Sequence, residues 1–418
     1  MVLSSIFVNS PEYEARRRTI FTLPKVTLAE IHSAVPKHLF EKSTATGLYY
    51  VLRSVTWTVV FYRLARLIPL AASYLVSLGV HPSLVHAARA MFWIAYWWWQ
   101  GVAFAGLWCL GHEAGHGTIS DINWVNTAIG FVLHTFLLVP YYSWRATHHA
   151  HHKTVGSVER EENYVPRTRS DYALPAENIA HVTDYHDVFE ETPIYTLGRM
   201  VLMQLLGWQA YLCFNTLGSP SYPEGTNHFS TSSPLFKDYQ RRGVAISNLG
   251  LTIMSCLLIE YSRAVGGWAF FKLYFVPYLL ANHWIVMLTF LHHTDPTLPH
   301  YREKQWTWLR GALATVDRPL LGWVGRHFLH NVSHDHVSHH LFSTIPFYNQ
   351  PQVTEILKGI LKKDYNYDST NSFRALWRSF TECIFIEDDG DVVFYKNRSG
   401  EAAREHAVEP VSKSSKGI

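Results

Sequence analysis

The stretch Thr147-His148-His149-Ala150-His151-His152 carries the most informative pattern in this 418-residue chain. Two other stretches share its spacing, His112-Glu113-Ala114-Gly115-His116 before it and His336-Val337-Ser338-His339-His340 after it. On a helix, residues i, i+3 and i+4 lie on one face. The spacing therefore predicts that the histidines of each stretch converge on one spot. The converging sets are His148, His151 and His152; His336, His339 and His340; and the pair His112 and His116.

Eight converging imidazoles indicate a metal site, because imidazole is the commonest protein ligand of metals. Eight are too many for one tetrahedral zinc, which takes four ligands in all. They suit two metals that each keep a position open for substrate or oxygen. Nitrogen ligation with open positions suits non-haem iron that reacts with O2. The sequence thus predicts a dinuclear, all-nitrogen site, and an apolar channel beside such a site would suit a fatty acyl chain.

The composition indicates an integral membrane protein with sizeable polar parts. Hydrophobic residues make up 48% of the chain and charged residues only 17%, against about 25% charged residues in typical soluble domains. The 15 Trp and 23 Tyr residues agree with this class, because both types favour membrane interfaces. The net charge of +3 is too small to suggest nucleic-acid binding. The four cysteines are scattered without a CxxC pair, so no disulfide framework is predicted.

The apolar segments predict an all-α membrane protein with about four transmembrane helices and additional interfacial helices. All three histidine stretches must reach the same side of the bilayer if they share metals. The segment 125–142 is therefore predicted to be interfacial, re-entrant or a tight pair of partial helices, and 195–217 to be interfacial. The predicted crossings are 52–80, 88–111, 244–262 and 268–291, each close to the roughly 20 residues that a span needs.

The two ends of the chain read differently from its centre. Residues 1–50 are predicted to form a cytosolic segment that lies against the body, with a short helix from Thr27 to Ala34. Residues 51–397 form the membrane domain. Within it, Cys383–Glu387 and Val392–Tyr395 flank a turn and predict a small β-hairpin. Residues 398–418 are charged and are predicted to be a disordered tail.

Two other interpretations of the histidines stay open at this point. H-E-x-x-H is also the zinc motif of metalloproteases, in which Glu113 would be the general base; that interpretation leaves two H-x-x-H-H stretches without a role. Histidine-rich tracts can also bind surface metal without catalysis. Elsewhere, His149 is expected to point away from the metals. His293, or its neighbour His292, is a candidate ninth ligand, and His330 a candidate hydrogen-bond partner of a ligand.

The motifs around the histidines resemble those of membrane fatty acid desaturases, and most closely the Δ12 (oleate) desaturases of fungi and plants. The resemblance covers roughly residues 20–397. It departs from the common pattern at Ala114, His292 and Ser333-His334-Asp335, all close to the histidine stretches. The segments that carry it are Ser143-Trp144-Arg145, Val158-Glu159-Arg160-Glu161-Glu162, Tyr164-Val165-Pro166, Trp308 to Arg318, His339 to Pro346 and Glu387 to Val393.

The resemblance implies a multi-pass enzyme of the endoplasmic reticulum membrane with its histidines on the cytosolic face. It implies two iron ions, O2 as oxidant and electrons from cytochrome b5 and its reductase. No His-Pro-Gly-Gly haem motif occurs in the sequence, so the electron donor is expected to be a separate protein. The implied reaction converts an oleoyl to a linoleoyl group on a phospholipid or acyl-CoA. Hydroxylation, acetylenation and ω3 desaturation on the same scaffold stay as alternatives. The implied ligands are His112, His116, His148, His151, His152, His293, His336, His339 and His340.

Overall fold

The computed structural model describes residues 4–407 and is mostly helical. Short 3-10 turns and a π-helical segment at Phe271–Phe275 join the longer elements. The α-helices are α1 (Pro11–Arg18), α2 (Leu28–Ala34), α3 (Thr44–Ser77), α4 (Pro82–His116), α5 (Asn123–Phe136), α6 (Tyr141–Thr154), α7 (Val182–Phe189), α8 (Pro193–Phe214), α9 (Arg241–Val265), α10 (Gly267–Phe270), α11 (Val276–His293), α12 (Trp308–Ala312), α13 (Trp323–Phe328), α14 (His336–Leu341), α15 (Gln350–Leu361) and α16 (Ser372–Glu382).

Helix α4 is the central element, and it packs against α3, α5 and α11. It has 35 residues and is therefore about 52 Å long. Its second half, from Gln100 to Gly115, is buried throughout. Gly106 allows the close approach of α13, because a Cβ there would lie 2.3 Å from the carbonyl oxygen of Phe328. The helix ends at Gly117, whose φ of 74° forms the left-handed cap that glycine favours.

Three helical segments are long and apolar enough to cross a membrane: Thr44–Ser77, Asp238–Val265 and Gly267–His293. They agree with three of the four predicted crossings. The fourth predicted crossing lies in α4, which is long enough for a span but does not reach the same apolarity. The aromatic and polar residues from Tyr96 to Gln100 lower its apolar content. Helix α8 also falls short of that apolarity, and its predicted interfacial position stays a prediction.

The segment before the second histidine stretch is a bent helix pair, as one of the predicted alternatives required. Helices α5 and α6 meet at an angle of 109°, across a break of four residues that contains Pro140. Proline lacks a backbone N–H and restricts the residue before it, so it favours such a break. The bend returns the chain toward the end of α4. The histidines of α4 and α6 consequently face each other.

The N-terminal segment is tied to the body through a buried ionic cluster. Asp368 accepts from Arg318 at 2.6 Å and from Arg378 at 2.5 Å, and Asp295 pairs with the same two arginines at 2.6 and 3.2 Å. From α1, Arg16 approaches Asp295 at 3.8 Å. Burial of paired, hydrogen-bonded charges fixes the relative positions of the segments that carry them. Helix α2 agrees with the prediction: Thr27 is its N-cap and forms a capping box, and the helix ends at Ala34.

A small two-stranded sheet lies near the C-terminus, as predicted, but most of its pairing is not local. Strand β2 (Val392–Val393) pairs antiparallel with β1 (His300–Tyr301). The predicted hairpin partner, 383–387, meets the returning chain at the single antiparallel bridge from Phe385 to Lys396. Tyr301 of β1 and Val392 of β2 pack in the same hydrophobic cluster.

The prediction of a disordered tail from residue 398 is wrong for residues 398–407. Arg398 pairs with Glu191 at 2.7 Å, and the chain at His406 forms a parallel bridge with Phe21. The polar composition suggested disorder, but it could not show that these partners lie on segments distant in sequence. Residues 408–418 of the predicted tail lie outside the described residues. All four cysteines lie within the described part of the chain, and each is a free thiol.

Candidate metal centre

Four elements bring the predicted histidines together in the buried interior. They are the C-terminal turn of α4, helix α6, the C-terminal turn of α11 and the short helix α14. Helix α14 is held in place by Asp317, whose carboxylate accepts from the backbone N–H of Val337 at 2.7 Å. Trp308 donates to the carbonyl oxygen of His152 at 3.1 Å and so links α12 to α6. Segments separated by more than 180 residues thereby form one site.

The histidines form two groups and do not converge stretch by stretch. The potential ligand nitrogens of the first group lie within 4.8 Å of one another, and so do those of the second. The first group contains His112, His116, His148, His152 and His339, and the second contains His151, His293 and His340. His336 adjoins the second group, because its Nε2 lies 3.0 Å from Nε2 of His293 and 3.1 Å from Nε2 of His340.

The prediction that each H-x-x-H-H stretch points at one spot is therefore wrong in a specific way. In both stretches the i and i+4 histidines belong together, and the i+3 histidine belongs to the other group. At 100° per residue, i and i+4 are separated by about 40° around the helix axis, whereas i+3 and i+4 are separated by about 100°. The exceptions are thus His151 on α6 and His339 on α14. Helices α6 and α14 each contribute histidines to both groups.

The nitrogen contacts within the groups fit a bound cation better than hydrogen bonds among imidazoles. His148 Nε2 lies 2.9 Å from His116 Nε2 and 3.1 Å from His152 Nε2. A neutral imidazole has one N–H, so a cluster of facing nitrogens cannot be satisfied by its own protons. His339 Nε2 is buried and has no hydrogen-bond partner among residues 4–407. Nitrogen lone pairs that converge in this way suit a metal cofactor.

Two buried carboxylates orient histidines of the two groups. Glu113 Oε1 accepts from Nδ1 of His112 at 3.0 Å, and Glu161 Oε1 accepts from Nδ1 of His151 at 2.8 Å. Each contact leaves Nε2 of the histidine free to face its group. Carboxylates that fix imidazole tautomers in this way are usual around metal-bound histidines. The spacing of the sequence does not predict this role for Glu161, because the contact with His151 depends on how the loop after α6 folds back.

The histidines of α14 are held in the neutral form that metal ligation requires. The pKa of His339 is lowered to about 3, mainly by burial and then by His112, while Glu113 opposes the shift. Burial also holds the pKa of His336 and His340 well below the usual range of histidine. A charged imidazolium has no lone pair for a metal, so neutral histidines favour binding.

The other histidines that the sequence singled out lie outside the two groups. His149 Nε2 donates to the carbonyl oxygen of Gly115 at 3.0 Å, which agrees with its predicted exclusion. His292 Nδ1 donates to Val316 O at 2.6 Å, and so His293 alone of this pair joins a group. His330 contacts Ser54 at 3.0 Å. The prediction that it supports a ligand is wrong, because its ring faces Tyr50 and Ser54 of α3 instead of a ligand.

A cavity of about 690 Å³ leads toward the histidines between α8, α11 and α16. Its lining is predominantly apolar, with Met203, Leu206, Val286 and Phe290 among its walls. A second, small cavity of about 30 Å³ touches the histidine groups directly. Both cavities are lined by Asn163, Tyr164, Trp208, Tyr211 and Thr289.

Tyr164 forms the part of this shared wall that contacts a histidine. Its ring stacks on His293, with centroids 5.5 Å apart and an interplanar angle of 9°. Its φ of 59° lies in the left-handed region that residues other than glycine seldom adopt. Backbone strain of this kind concentrates at functional sites. The conformation of Tyr164 therefore indicates that the wall between the apolar cavity and the histidines has a functional role.

Comparison with known proteins identifies the family. The fatty acid desaturase family model matches residues 88–371. A Δ12 fatty acid desaturase of Mortierella alpina is 42% identical over 381 residues, covering 90% of this chain and 92% of that protein. An oleate hydroxylase of Claviceps purpurea is 36% identical, covering 91% and 82%. An ω6 desaturase of Brassica juncea, named for the endoplasmic reticulum, is 36% identical, covering 93% and 96%. The chain with these two histidine groups thus belongs to the fatty acid desaturase family of membrane oxidoreductases.

Proposed function

We propose that this enzyme desaturates oleoyl groups at the Δ12 position, with two iron ions, O2 and electrons from cytochrome b5 and its reductase. The observation that carries the proposal is the pair of histidine groups beside a long apolar cavity. The names of the Mortierella relatives support Δ12 as the position of the new double bond. All-nitrogen ligation of a site that must accept O2 favours iron over zinc.

The proposed ligands divide between two ions. The first ion takes the five histidines of the first group, and the second takes His151, His293, His336 and His340. Glu113 and Glu161 hold the imidazoles of His112 and His151 with Nε2 directed to the ions. The proposed membrane domain, residues 51–397, contains every proposed ligand.

Two irons held by these histidines would supply the activation of O2 that the removal of two hydrogens from an unactivated methylene pair requires. O2, two electrons from the donor, two protons and the two acyl hydrogens yield two waters and the double bond. The protein holds the acyl chain in the apolar cavity and excludes bulk water from the histidines. Tyr164 and its neighbours decide how closely a methylene approaches the irons, because they separate the two cavities.

A hydroxylase with the same ligands is the second candidate, and the oleate hydroxylase among the relatives favours considering it. It would retain one oxygen atom on carbon 12 instead of removing the second hydrogen. A zinc protease is not supported. Its general base would be Glu113, whose Oε1 is engaged by His112 and whose Oε2 accepts from Thr118 at 2.7 Å.

Expression in a yeast that makes oleate but no linoleate tests the function directly. Lipids are derivatised and their double bonds and hydroxyls are located by mass spectrometry. Linoleate is expected from the wild type and not from His339→Ala, with both proteins present in membranes. A hydroxylated product would assign the hydroxylase, and full activity of His339→Ala would contradict the proposed ligand set.

The proposed location is the endoplasmic reticulum membrane, with the histidine groups on the cytosolic face. The name of the Brassica relative and the requirement for a cytosolic electron donor support it. A cysteine-accessibility assay on sealed microsomes tests the orientation. A cysteine is introduced at the exposed Lys153 in a variant whose four native cysteines are replaced by serine, because Cys213 and Cys256 are themselves exposed. Labelling without permeabilisation is expected. A yeast strain lacking cytochrome b5 should lose most of the product.

A further inference from the structure

The outer end of the 690 Å³ cavity differs from the rest of its lining because it is cationic. Arg167 and Arg199 are the charged residues among the lining residues, and no carboxylate of the described chain joins them there. Both arginines lie near the phenol of Tyr172, which also lines the cavity. Burial raises the pKa of Tyr172, the two guanidinium groups oppose that shift, and the nearby carboxylates of Asp171 and Glu191 reinforce it. The three side chains therefore lie near one another at one end of an otherwise apolar cavity.

The two arginines differ in how far their charge is balanced. Arg167 is exposed, and its side chain makes no hydrogen bond or ion pair within residues 4–407. Arg199 pairs with Oε1 of Glu191, but Oε2 of the same carboxylate binds Arg398 at 2.7 Å. Glu191 thus balances only one of two arginines and holds Arg199 in place. The end of the cavity keeps a positive excess beside a phenolic donor, a combination that suits a phosphate.

The distance between this end and the histidines matches an acyl chain. Arg199 and Trp208 both lie on α8, nine residues apart, which corresponds to about 14 Å along the helix axis. Carbon–carbon bonds of about 1.5 Å, shortened by their zigzag, place roughly a dozen carbons in that length. The linker between a phosphate and the acyl carbonyl takes up part of that length, so a carrier held at the arginines would direct the carbonyl half of its acyl chain toward the shared wall. The outer face of α8 exposes Ile194, Leu197 and Val201, which allows contact with lipid beside the entrance.

We propose that Arg167, Tyr172 and Arg199 form a binding site for the phosphate of the acyl carrier at the entrance of the cavity. The proposal rests on the proposed function, because it assigns the acyl chain to the same cavity. The phosphate belongs either to a glycerophospholipid or to the CoA group of a thioester. The two sources share the chemistry that the arginines recognise, and a binding experiment distinguishes them.

The experiment measures dissociation constants on iron-loaded, purified enzyme without reductant, so that no turnover occurs. The probes are dioleoylphosphatidylcholine, oleoyl-CoA and dioleoylglycerol, which carries no phosphate, each titrated in detergent and counted by native mass spectrometry. Arg167→Gln and Arg199→Gln remove one charge each, and Arg167→Lys retains it. Arg263→Gln is the matched control, because Arg263 is an exposed arginine on α9 that pairs with Glu260 of the same helix and does not line the cavity.

Loss of one charge-assisted contact should weaken binding of the phosphate-bearing carrier roughly tenfold and leave dioleoylglycerol unchanged. Arg167→Lys should lose less than Arg167→Gln, and Arg263→Gln should behave as the wild type. The carrier whose affinity falls identifies the source of the phosphate. Equal weakening for dioleoylglycerol, or no weakening for either carrier, would overturn the phosphate site. Failure of the wild type to bind any oleoyl probe would instead count against the proposed function.

Discussion

Glu161 offers the sharpest test of the metal assignment, because its carboxylate is fully used. Oε1 accepts from Nδ1 of His151 at 2.8 Å and from the backbone N–H of Glu162 at 2.9 Å. Oε2 accepts from the backbone N–H of Gly156 at 2.8 Å. In Glu161→Gln, one acceptor becomes an NH2 donor. That donor faces either the N–H of Gly156 or Nδ1 of His151, and in the second case it favours the tautomer whose Nε2 carries the proton and cannot bind metal.

The cost follows from the contact that is lost. A hydrogen bond to a charged group contributes about 1.5–3 kcal/mol, which corresponds to a loss of roughly 10- to 150-fold in metal affinity. Iron per purified protein, measured by mass spectrometry during titration with a chelator, should fall from about two to about one as the ion at His151 is lost. The control is Glu162→Gln, because within residues 4–407 the carboxylate of Glu162 hydrogen-bonds the hydroxyl of Tyr222 at 2.9 Å and not a histidine. If both variants held iron equally under the same chelator, the role of Glu161 would be refuted, and a wild type that never held more than one iron would refute the second ion.

Other perturbations test the fold and the cavity. Arg378→Met should cost about 3–5 kcal/mol of unfolding free energy by leaving buried Asp368 underpaired, whereas Arg374→Met, on the same helix, should cost much less; equal melting temperatures would contradict the role of the ionic cluster. Its arginines hold the pKa of Asp368 well below the usual range, so this stability is present above about pH 4 and should fall in melts at lower pH. Tyr164→Ala should join the two cavities beside His293 and broaden the positions of new double bonds, and an unchanged product profile would contradict that barrier. Removing metal with a chelator should abolish product, and Fe²⁺ should restore it better than Zn²⁺.

The local parts of the structure could be predicted from the sequence because their signals lie within one or two turns of helix. The capping box at Thr27 is one example, since its partner Glu30 is three residues away. The break before α6 is another, because the apolar run is short and Pro140 lies where the break occurs. The requirement that all histidines meet on one side then restricted the crossings. Each of these arguments uses spacing, composition or chain parity, which a sequence displays directly.

The remaining parts depend on contacts between distant segments, which spacing alone does not determine. The partner of β2 is β1, more than 90 residues earlier, although a local hairpin explained the same residues. The ordering of the chain near Arg398 depends on Glu191, which lies about 200 residues earlier in the connection between α7 and α8. The sequence makes His330 a candidate partner, because a ligating imidazole needs its second N–H satisfied. It instead contacts Ser54 and Tyr50 of α3, a tertiary arrangement that its position in the sequence does not show.

The division of each H-x-x-H-H stretch explains why the shorter H-E-x-x-H stretch could suggest a different enzyme. A site for one metal needs only an i and i+4 pair and a further ligand, which is what His112 and His116 offer in isolation. The i+3 histidines are superfluous to such a site, yet they lie inside the opposite groups. A helix that must serve two centres gains from a ligand displaced by about 100° from its neighbour. His151 and His339 are therefore the residues whose positions distinguish a two-metal site from a one-metal site.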